Sequence, residues 1–140
     1  MAPVRFTHLN VGWNAEPNVP EPGVKLLGAR LELEFYLNFY AYDAADWEQG
    51  VLTFDGCSAW RLGATNDHGW DLGQCRYSKL APAWGEFYEL IGEDPLRDSV
   101  GDWRSLPGTG TRHFLFYFRD ETFECVADSW TFDRRLTAIA

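Results

Sequence analysis

Two apolar runs separated by a short polar break constrain the fold of this chain more than any other feature. The runs cover residues 113–118 and 123–127, and the break is Arg119-Asp120-Glu121-Thr122. This arrangement is typical of a β-hairpin. If Phe118 pairs with Phe123, side-chain alternation places these residues on one face: Phe114, Phe116, Phe118, Phe123, Cys125 and Ala127. We expect that face to form a wall of the hydrophobic core.

The opposite face of this hairpin mixes hydrogen-bonding and apolar side chains. In the same register Tyr117 lies opposite Glu124, and His113 lies opposite Asp128. A carboxylate beside an imidazole holds the ring in one tautomer, which is how many general bases are prepared. We therefore name His113, Asp128 and Glu124 as candidate catalytic residues. An ordinary cross-strand polar pair explains the same pattern without catalysis, and we favour that explanation.

Residues 27–42 form the clearest single strand of the sequence. Apolar residues alternate with polar or tyrosine residues over the whole stretch, and this period of two argues against a helix. The apolar positions are Leu27, Ala29, Leu31, Leu33, Phe35, Leu37, Phe39 and Ala41. The other face changes from charged near Arg30 to tyrosine-rich at Tyr36 and Tyr40. That gradient indicates a surface that becomes a pocket or an interface.

Three shorter segments carry local signals. Residues 4–11 alternate loosely and predict a first strand. Asp55-Gly56 stands between two apolar runs, a strong hairpin signal, so residues 51–62 are predicted to form a second hairpin. Residues 82–92 have apolar residues at helical spacing between a proline and a glycine, which predicts a short helix.

These segments together predict one mainly β domain over residues 1–140. We expect an antiparallel small barrel or sandwich of about six or seven strands with one or two short helices. Residues 14–23 contain three prolines and are predicted to be a Pro-rich loop. Residues 134–140 are predicted to be a C-terminal tail.

The net charge indicates which classes of partner the protein can bind, and the cysteine count indicates the redox state of its compartment. A formal net charge of −9 argues against nucleic acid and against an anionic membrane as partners. The same charge leaves a basic protein partner open, because opposite charge speeds encounter. Three cysteines are an odd number, which argues against a complete disulfide framework. With no secretory signal pattern at residue 1, we expect a reduced, cytoplasmic protein.

The loop that contains Asn66, Asp67, His68 and Asp71 is a weak candidate for a metal site with Cys57 or Cys75. Structural and catalytic metal sites usually have tighter ligand spacing, such as paired C-x-x-C. Asn-Asp-His-Gly is also favourable turn chemistry, which needs no metal. We therefore predict a turn here, with no metal and no cofactor in the protein.

The predicted hairpin over residues 113–127 contains a motif, His113-x-x-Phe116-x-Phe118-x-Asp120-x-x-Phe123-Glu124-Cys125-x-Ala127. Upstream pieces accompany it: Leu52-Thr53-Phe54-Asp55-Gly56, Trp60-Arg61-Leu62-Gly63, Thr65-Asn66-Asp67-His68, Tyr77-Ser78 and Trp84. Together they resemble a group of small bacterial proteins that have no assigned activity. Those chains often carry a proline where Thr65 stands and an acidic residue where His68 stands. The resemblance covers roughly 80 residues and implies a shared fold without a mechanism.

Three classes of function fit these observations, and we rank them in the order given. The first is a non-catalytic domain that binds a small molecule in an aromatic-lined pocket formed by Tyr36, Tyr40, Trp84, His113 and Tyr117. The second is an acidic protein-interaction module, such as an immunity or antitoxin-like protein. The third is a small hydrolase or isomerase that uses His113 with Asp128 or Glu124. The sequence leaves open whether the chain forms a homodimer.

Overall fold

The computed structural model describes residues 4–64, 77, 81–92 and 103–136. These residues form ten strands, all of which pair antiparallel. The strands are β1 (Arg5–His8), β2 (Gly23–Leu27), β3 (Arg30–Tyr36), β4 (Glu48–Asp55), β5 (Ala59–Ala64), β6 (Phe87–Ile91), β7 (Arg104–Ser105), β8 (Arg112–Tyr117), β9 (Glu121–Ala127) and β10 (Ser129–Leu136).

The strands form two sheets that pack together in a sandwich-like arrangement. One sheet has the order β1-β6-β8-β9-β5-β7, and the other has the order β10-β4-β3-β2. The core between them contains Trp13 and the buried side chains of both sheets, among them Phe35, Phe54, Phe87, Phe114, Phe116 and Phe123. The sheets do not close into a barrel. The prediction of a mainly β, antiparallel fold is therefore confirmed in its sandwich form and wrong in its barrel form.

The hairpin of β8 and β9 is confirmed, but its register differs by two residues from the predicted one. Phe116 lies opposite Phe123, and Leu115 lies opposite Glu124. The backbone N–H of Phe118 donates to the carbonyl oxygen of Glu121 at 2.8 Å, which leaves a two-residue turn. Such a turn matches the twist of paired strands better than the four-residue loop that the sequence suggested. A shift of two residues keeps every side chain on its predicted face, so the phenylalanines still face the core.

The predicted strand over residues 27–42 is interrupted. β2 ends at Leu27, and Gly28 reverses the chain with a φ of +59° before β3 begins. Glycine adopts this left-handed conformation without a steric penalty from a Cβ atom. β3 then ends at Tyr36. The predicted core face is confirmed within this shorter strand, where Leu31, Leu33 and Phe35 have no exposed surface.

Asp55-Gly56 connects the two sheets, so the predicted hairpin across it is wrong. β4 belongs to the four-stranded sheet and β5 to the six-stranded sheet. Gly56 has the positive φ of a turn residue, at +66°. The next two residues are drawn to different sheets, because the N–H of Cys57 donates to Ala29 and the N–H of Ser58 donates to Val126, both at 2.8 Å. A local turn signal does not reveal that separation.

Residues 82–92 contain a strand where the sequence predicted a helix, and the described part of the chain contains no helix. β6 lies between β1 and β8 in the six-stranded sheet. Phe87 packs in the core between the sheets, whereas Tyr88 and Leu90 pack on the opposite face of their sheet. Because β6 is buried on both faces, its apolar residues lack strict alternation, and their spacing matches that of a helix.

The remaining boundaries differ modestly from the predicted ones. The first strand, predicted over residues 4–11, is limited to β1. Residues 14–22 connect strands, with one bridge between Ala15 and Leu37, and β2 begins at Gly23. β10 includes residues 134–136 of the predicted tail, and residues 137–140 lie outside the described part. Within the described ranges, no helix has the length and apolar character needed to cross a membrane.

Two glycines allow residues 108–110 to lie directly against neighbouring backbone. A Cβ atom on Gly108 would stand 2.5 Å from the carbonyl oxygen of Cys57, and one on Gly110 would stand 2.1 Å from the carbonyl carbon of Ala127. The N–H of Gly110 donates to the carbonyl oxygen of Gly56 at 2.8 Å. These residues need glycine because the obstacles are backbone atoms, which cannot rotate away.

Gly110→Ala is expected to lower the free energy of unfolding by about 1–3 kcal/mol, because the added methyl group forces the packed backbone apart. Gly23→Ala is the matched control, since a Cβ atom there meets nothing within 4 Å. We expect the control to change stability by less than about 0.5 kcal/mol. Urea unfolding measures both variants, and equal midpoints would contradict the close approach at Gly110.

Candidate functional site

The outer face of the six-stranded sheet carries a second apolar cluster. Its buried members are Tyr77, Ala81, Tyr88, Leu90, Leu115 and Tyr117, with Val4, Phe6 and Trp84 packed against them. Leu115 and Tyr117 have no exposed surface, and neither do Phe114 and Phe116 on the inner face. β8 is therefore buried on both faces, and any charged group beside it needs a partner.

A buried ionic network joins three strands on this outer face. Glu124 of β9 has no exposed surface. Its Oε1 atom lies 2.8 Å from Nε2 of His113, and its Oε2 atom accepts a hydrogen bond from Nη1 of Arg61 at 2.8 Å. Because a carboxylate only accepts hydrogen bonds, Nε2 of His113 carries the proton in this contact. Glu124 thus gives one carboxylate oxygen to each basic partner.

The order of the strands explains why these three side chains meet. β9 lies between β5 and β8, and Glu124 is directly opposite Arg61 on β5. On the other side Glu124 is opposite Leu115, so His113 is its diagonal neighbour on the same face. Two aromatic rings stand edge-on to the imidazole, with ring centroids 5.9 Å away for Trp103 and 6.1 Å away for Tyr77.

The predicted pairing of His113 with Asp128 is wrong. His113 lies opposite Val126, and Asp128 lies beyond the end of β9, exposed to solvent. The predicted pairing of Tyr117 with Glu124 is wrong for the same reason, since the two-residue turn places Tyr117 opposite Thr122. Of the three candidate catalytic residues, the structure brings together His113 and Glu124 only.

Burial decides what this network can do chemically. The side chain of His113 is 3% exposed, and that of Glu124 is 0% exposed. A general base has to come within hydrogen-bond distance of the proton that it removes from a substrate. A buried carboxylate with both oxygens satisfied is better suited to aligning neighbouring strands. We interpret the network as a device that holds β5, β9 and β8 in register.

Glu124→Ala is expected to lower the free energy of unfolding by about 3–5 kcal/mol, because it leaves Arg61 buried without its counter-charge and His113 without the acceptor of its Nε2 hydrogen bond. Glu32→Ala is the control, since among the described residues Glu32 forms one ion pair, a long one of 3.7 Å with the half-exposed Arg135. The control should cost less than about 1 kcal/mol. Urea unfolding followed by tryptophan fluorescence measures the difference, and similar losses in both variants would rule out this role of the network.

A cleft of about 410 Å³ opens where four segments of the chain meet. Residues 14–18, Asn38, residues 84–86 and residues 117–119 line it. Residues 117–119 are the end of β8 and the start of the β8–β9 turn, so this hairpin forms one wall of the cleft. The half-buried ring of Trp84 packs on the fully buried ring of Tyr117, with centroids 4.9 Å apart and planes inclined by 32°.

Three asparagines, of which Asn10 is buried and Asn14 and Asn38 are half-buried, tie the cleft segments to one another. Nδ2 of Asn14 donates to the carbonyl oxygen of Gly85 at 2.7 Å, and the N–H of Asn38 donates to the carbonyl oxygen of Asn14 at 2.9 Å. Nδ2 of the buried Asn10 donates to Oε2 of Glu86 at 2.6 Å. These contacts link segments that are 24–76 residues apart in sequence. The cleft is therefore held open by the fold before any ligand arrives.

The two carboxylates of the cleft have different partners. Glu16 is buried, and its oxygens accept hydrogen bonds from the backbone N–H groups of Asn18 and Val19. Glu86 is partly exposed, and its Oε2 atom also lies 2.9 Å from Nε2 of His8. Arg119 also lines the cleft and donates from Nη1 to the carbonyl oxygen of Asn18 at 3.1 Å. Glu16 is thus a structural group, whereas Glu86 and Arg119 stand at the surface of the cleft.

The structure places two of the five predicted ligand-binding residues in this cleft, Trp84 and Tyr117. Tyr36 instead lies against Trp47 on the outer face of the four-stranded sheet, with centroids 5.3 Å apart. Tyr40 packs on Phe39 and is 70% exposed. His113 belongs to the buried network and borders a separate depression of about 230 Å³.

Sequence reasoning missed the polar half of the cleft. Asn14 and Glu16 lie in the stretch that the sequence predicts as a Pro-rich loop, and Asn38 lies in the predicted strand over residues 27–42. Clustered asparagines next to a proline-rich segment were the available signal, since asparagine side chains stabilise irregular backbone. The contact between Asn14 and Gly85 joins residues that are 71 positions apart, so no local sequence pattern predicts it.

Cys57 and Cys125 are free thiols buried in the core between the sheets. Burial raises the pKa of Cys125 well above its ordinary value, and a hydrogen bond with Cys57 raises it further. Cys125 thus lies on the core wall that the sequence predicts for the hairpin, where it serves as a small hydrophobic residue. The loop of Asn66, Asp67, His68 and Asp71, predicted to be a turn without a metal, lies outside the described residues, and so does Cys75. Among residues that are described, no three metal-binding side chains cluster.

In a Cys75→Ser variant, we expect neither remaining thiol to react with Ellman's reagent while the protein is folded, because the reagent needs an accessible thiolate. Both thiols should react once urea unfolds the chain. Absorbance at the thionitrobenzoate band counts the reacted groups. Immediate reaction of either thiol in the folded protein would show that the core around Cys125 is open.

Comparison with known proteins adds no relative to this picture, since no family model, no curated protein and no solved structure matches the chain. The resemblance of the C-terminal motif to a group of small bacterial proteins therefore stays a prediction. The site has to be judged from its own geometry.

Proposed function

We propose that this protein binds a small molecule without catalysis in the cleft beside Trp84. The observation that carries the proposal is the half-buried ring of Trp84, which packs on Tyr117 within a cleft of about 410 Å³. Small-molecule sites typically measure about 300–1,000 Å³ and combine an aromatic surface with a few placed polar groups. The cleft matches that description in size and in lining.

The rigid construction of the cleft supports binding. Asn14 and Asn10 hold two of its walls through hydrogen bonds of 2.7 Å and 2.6 Å to Gly85 and Glu86. A preformed site loses little conformational freedom when a ligand enters, which favours affinity. The β8–β9 turn is also held in place. Arg119 in this turn donates to the carbonyl oxygen of Asn18, and the preceding strand β8 is buried on both faces.

Catalysis ranks below binding because the acid-base groups are poorly placed for it. The His113–Glu124 pair lies beneath the surface, and Glu16 uses both oxygens to hold its own loop. Glu86 and the half-exposed His8 are the remaining pair near the cleft, 2.9 Å apart. We find no nucleophile in the described residues at hydrogen-bond distance from this pair.

A protein-interaction module is the second candidate, and the charges of the four-stranded sheet speak against it. An acidic docking surface requires unpaired acids, yet Glu34 on β3 forms ion pairs with Lys25 at 3.0 Å and Arg135 at 3.2 Å. Mixed charges of this kind are typical of an ordinary solvated face. A small-molecule ligand therefore remains the preferred partner.

A thermal-shift screen of the whole chain against a library of charged and uncharged metabolites tests the proposal. A ligand at about 100 times its Kd stabilises the folded form by about 2.7 kcal/mol. For a chain of this length, that free energy raises the Tm by roughly 5–15 °C. We expect Trp84→Ala to abolish the shift and Trp47→Ala to preserve it, because Trp47 is exposed and lies outside the cleft. A hit that both variants retain would place the binding site elsewhere.

A further inference from the structure

We infer that the ligand of this cleft is a neutral, hydroxyl-rich molecule, namely a mono- or disaccharide; the inference rests on the proposed binding function. It follows from the combination of one aromatic platform with unengaged hydrogen-bonding groups of both kinds. Apolar, anionic and cationic ligands each match only part of that combination.

The aromatic platform is Trp84. Its ring is half-buried, is supported from one side by Tyr117 and borders the cleft. The face of an indole ring carries negative charge density, so it attracts the weakly positive C–H groups on the face of a pyranose ring. A flat platform on a firm base favours a ring-shaped ligand over a flexible chain.

The polar groups around the platform can both donate and accept hydrogen bonds. His8 and Asn10 both contact Oε2 of Glu86, so within the described residues Oε1 is left to accept from a ligand. In the described part of the chain Arg119 uses only Nη1, for the carbonyl oxygen of Asn18, and its other N–H groups are left to donate. Each hydroxyl group of a sugar can both donate and accept, which suits a cleft lined by a carboxylate and a guanidinium.

Two asparagine side chains add neutral hydrogen-bonding capacity. Among the described residues, the side-chain amide of the exposed Asn18 makes no hydrogen bond, because only its backbone atoms are engaged. Asn38 uses its Oδ1 atom for the N–H groups of Tyr40 and Ala41, and no other described residue engages its Nδ2 atom, which is left for a ligand. Amide groups match hydroxyl groups without introducing charge.

The charges of the cleft favour a ligand without net charge. An anion would meet the carboxylates of Glu16 and Glu86, and a cation would meet the guanidinium of Arg119. An apolar ligand would strip water from these groups without replacing its hydrogen bonds. A cleft of about 410 Å³ also lies near the small end of the usual range, so it suits one or two sugar rings.

The test is a ¹H–¹⁵N NMR titration of the whole chain with a panel of sugars. The neutral probes are the methyl glycosides of glucose, galactose and mannose, N-acetylglucosamine, maltose, lactose and cellobiose. Glucosamine and glucuronic acid are the charged counterparts. We expect at least one neutral probe to shift the signals of Trp84, Asn18 and Arg119, and to bind at least about tenfold more tightly than either charged probe.

Two variants locate the interaction. Trp84→Ala should weaken binding of the best neutral probe at least about tenfold, while the matched control Trp47→Ala leaves it unchanged. Asn18→Ala should weaken it about three- to tenfold, as expected for one hydrogen bond, and its exposed position leaves the fold intact if Trp84→Ala does not fold. Binding that neither Trp84→Ala nor Asn18→Ala weakens would overturn the inference.

Two further outcomes separate this inference from the proposed function. If no sugar binds and a non-sugar metabolite from the thermal-shift screen shifts the same signals, the cleft is a binding site and the saccharide assignment is wrong. Tighter binding of glucosamine or glucuronic acid at these residues leads to the same conclusion. If neither the sugars nor the metabolites perturb the cleft, both the assignment and the proposed function are wrong.

Discussion

The structure depends on one constraint, which is that the β8–β9 hairpin is buried on both faces. Phe114 and Phe116 of β8 fill the space between the sheets, while Leu115 and Tyr117 support a second cluster on the outside. A strand with no solvated face has to place every side chain against a partner. Neighbouring strands and connections are therefore arranged around this hairpin, and the features of the outer face follow from it.

Two features beside this hairpin are an ionic network and a cleft; the network stabilises the fold, and the cleft is the site that we propose for a ligand. Glu124 is buried, so its charge is balanced by Arg61 on one adjacent strand, and its other oxygen accepts a hydrogen bond from His113 on the other, each at 2.8 Å. At the turn end of the same hairpin, Tyr117 supports Trp84 and the chain reaches the cleft. The rigid part of the face thus positions the part that is open to a ligand.

The sequence predicted the strands that bury one face in the core and expose the other to solvent. Alternation in β3 identified Leu31, Leu33 and Phe35 as core residues because the other face of that strand is polar. It failed at β6, whose two buried faces remove the alternation. The aromatic half of the cleft was predictable from residue type, whereas the polar half unites Asn14, Asn38 and Glu86 through contacts that only the folded chain creates.

The register of the hairpin is the claim on which this account depends, and an NMR measurement of interstrand Hα–Hα contacts tests it directly. The hydrogen bond from Phe118 to Glu121 makes Leu115 and Glu124 a non-hydrogen-bonded pair, whose Cα atoms approach to about 4.5 Å. We predict a strong Hα–Hα nuclear Overhauser effect between these two residues. A strong effect between Tyr117 and Glu124 in its place would contradict the account, because it would remove His113 from Glu124 and move the turn away from the cleft.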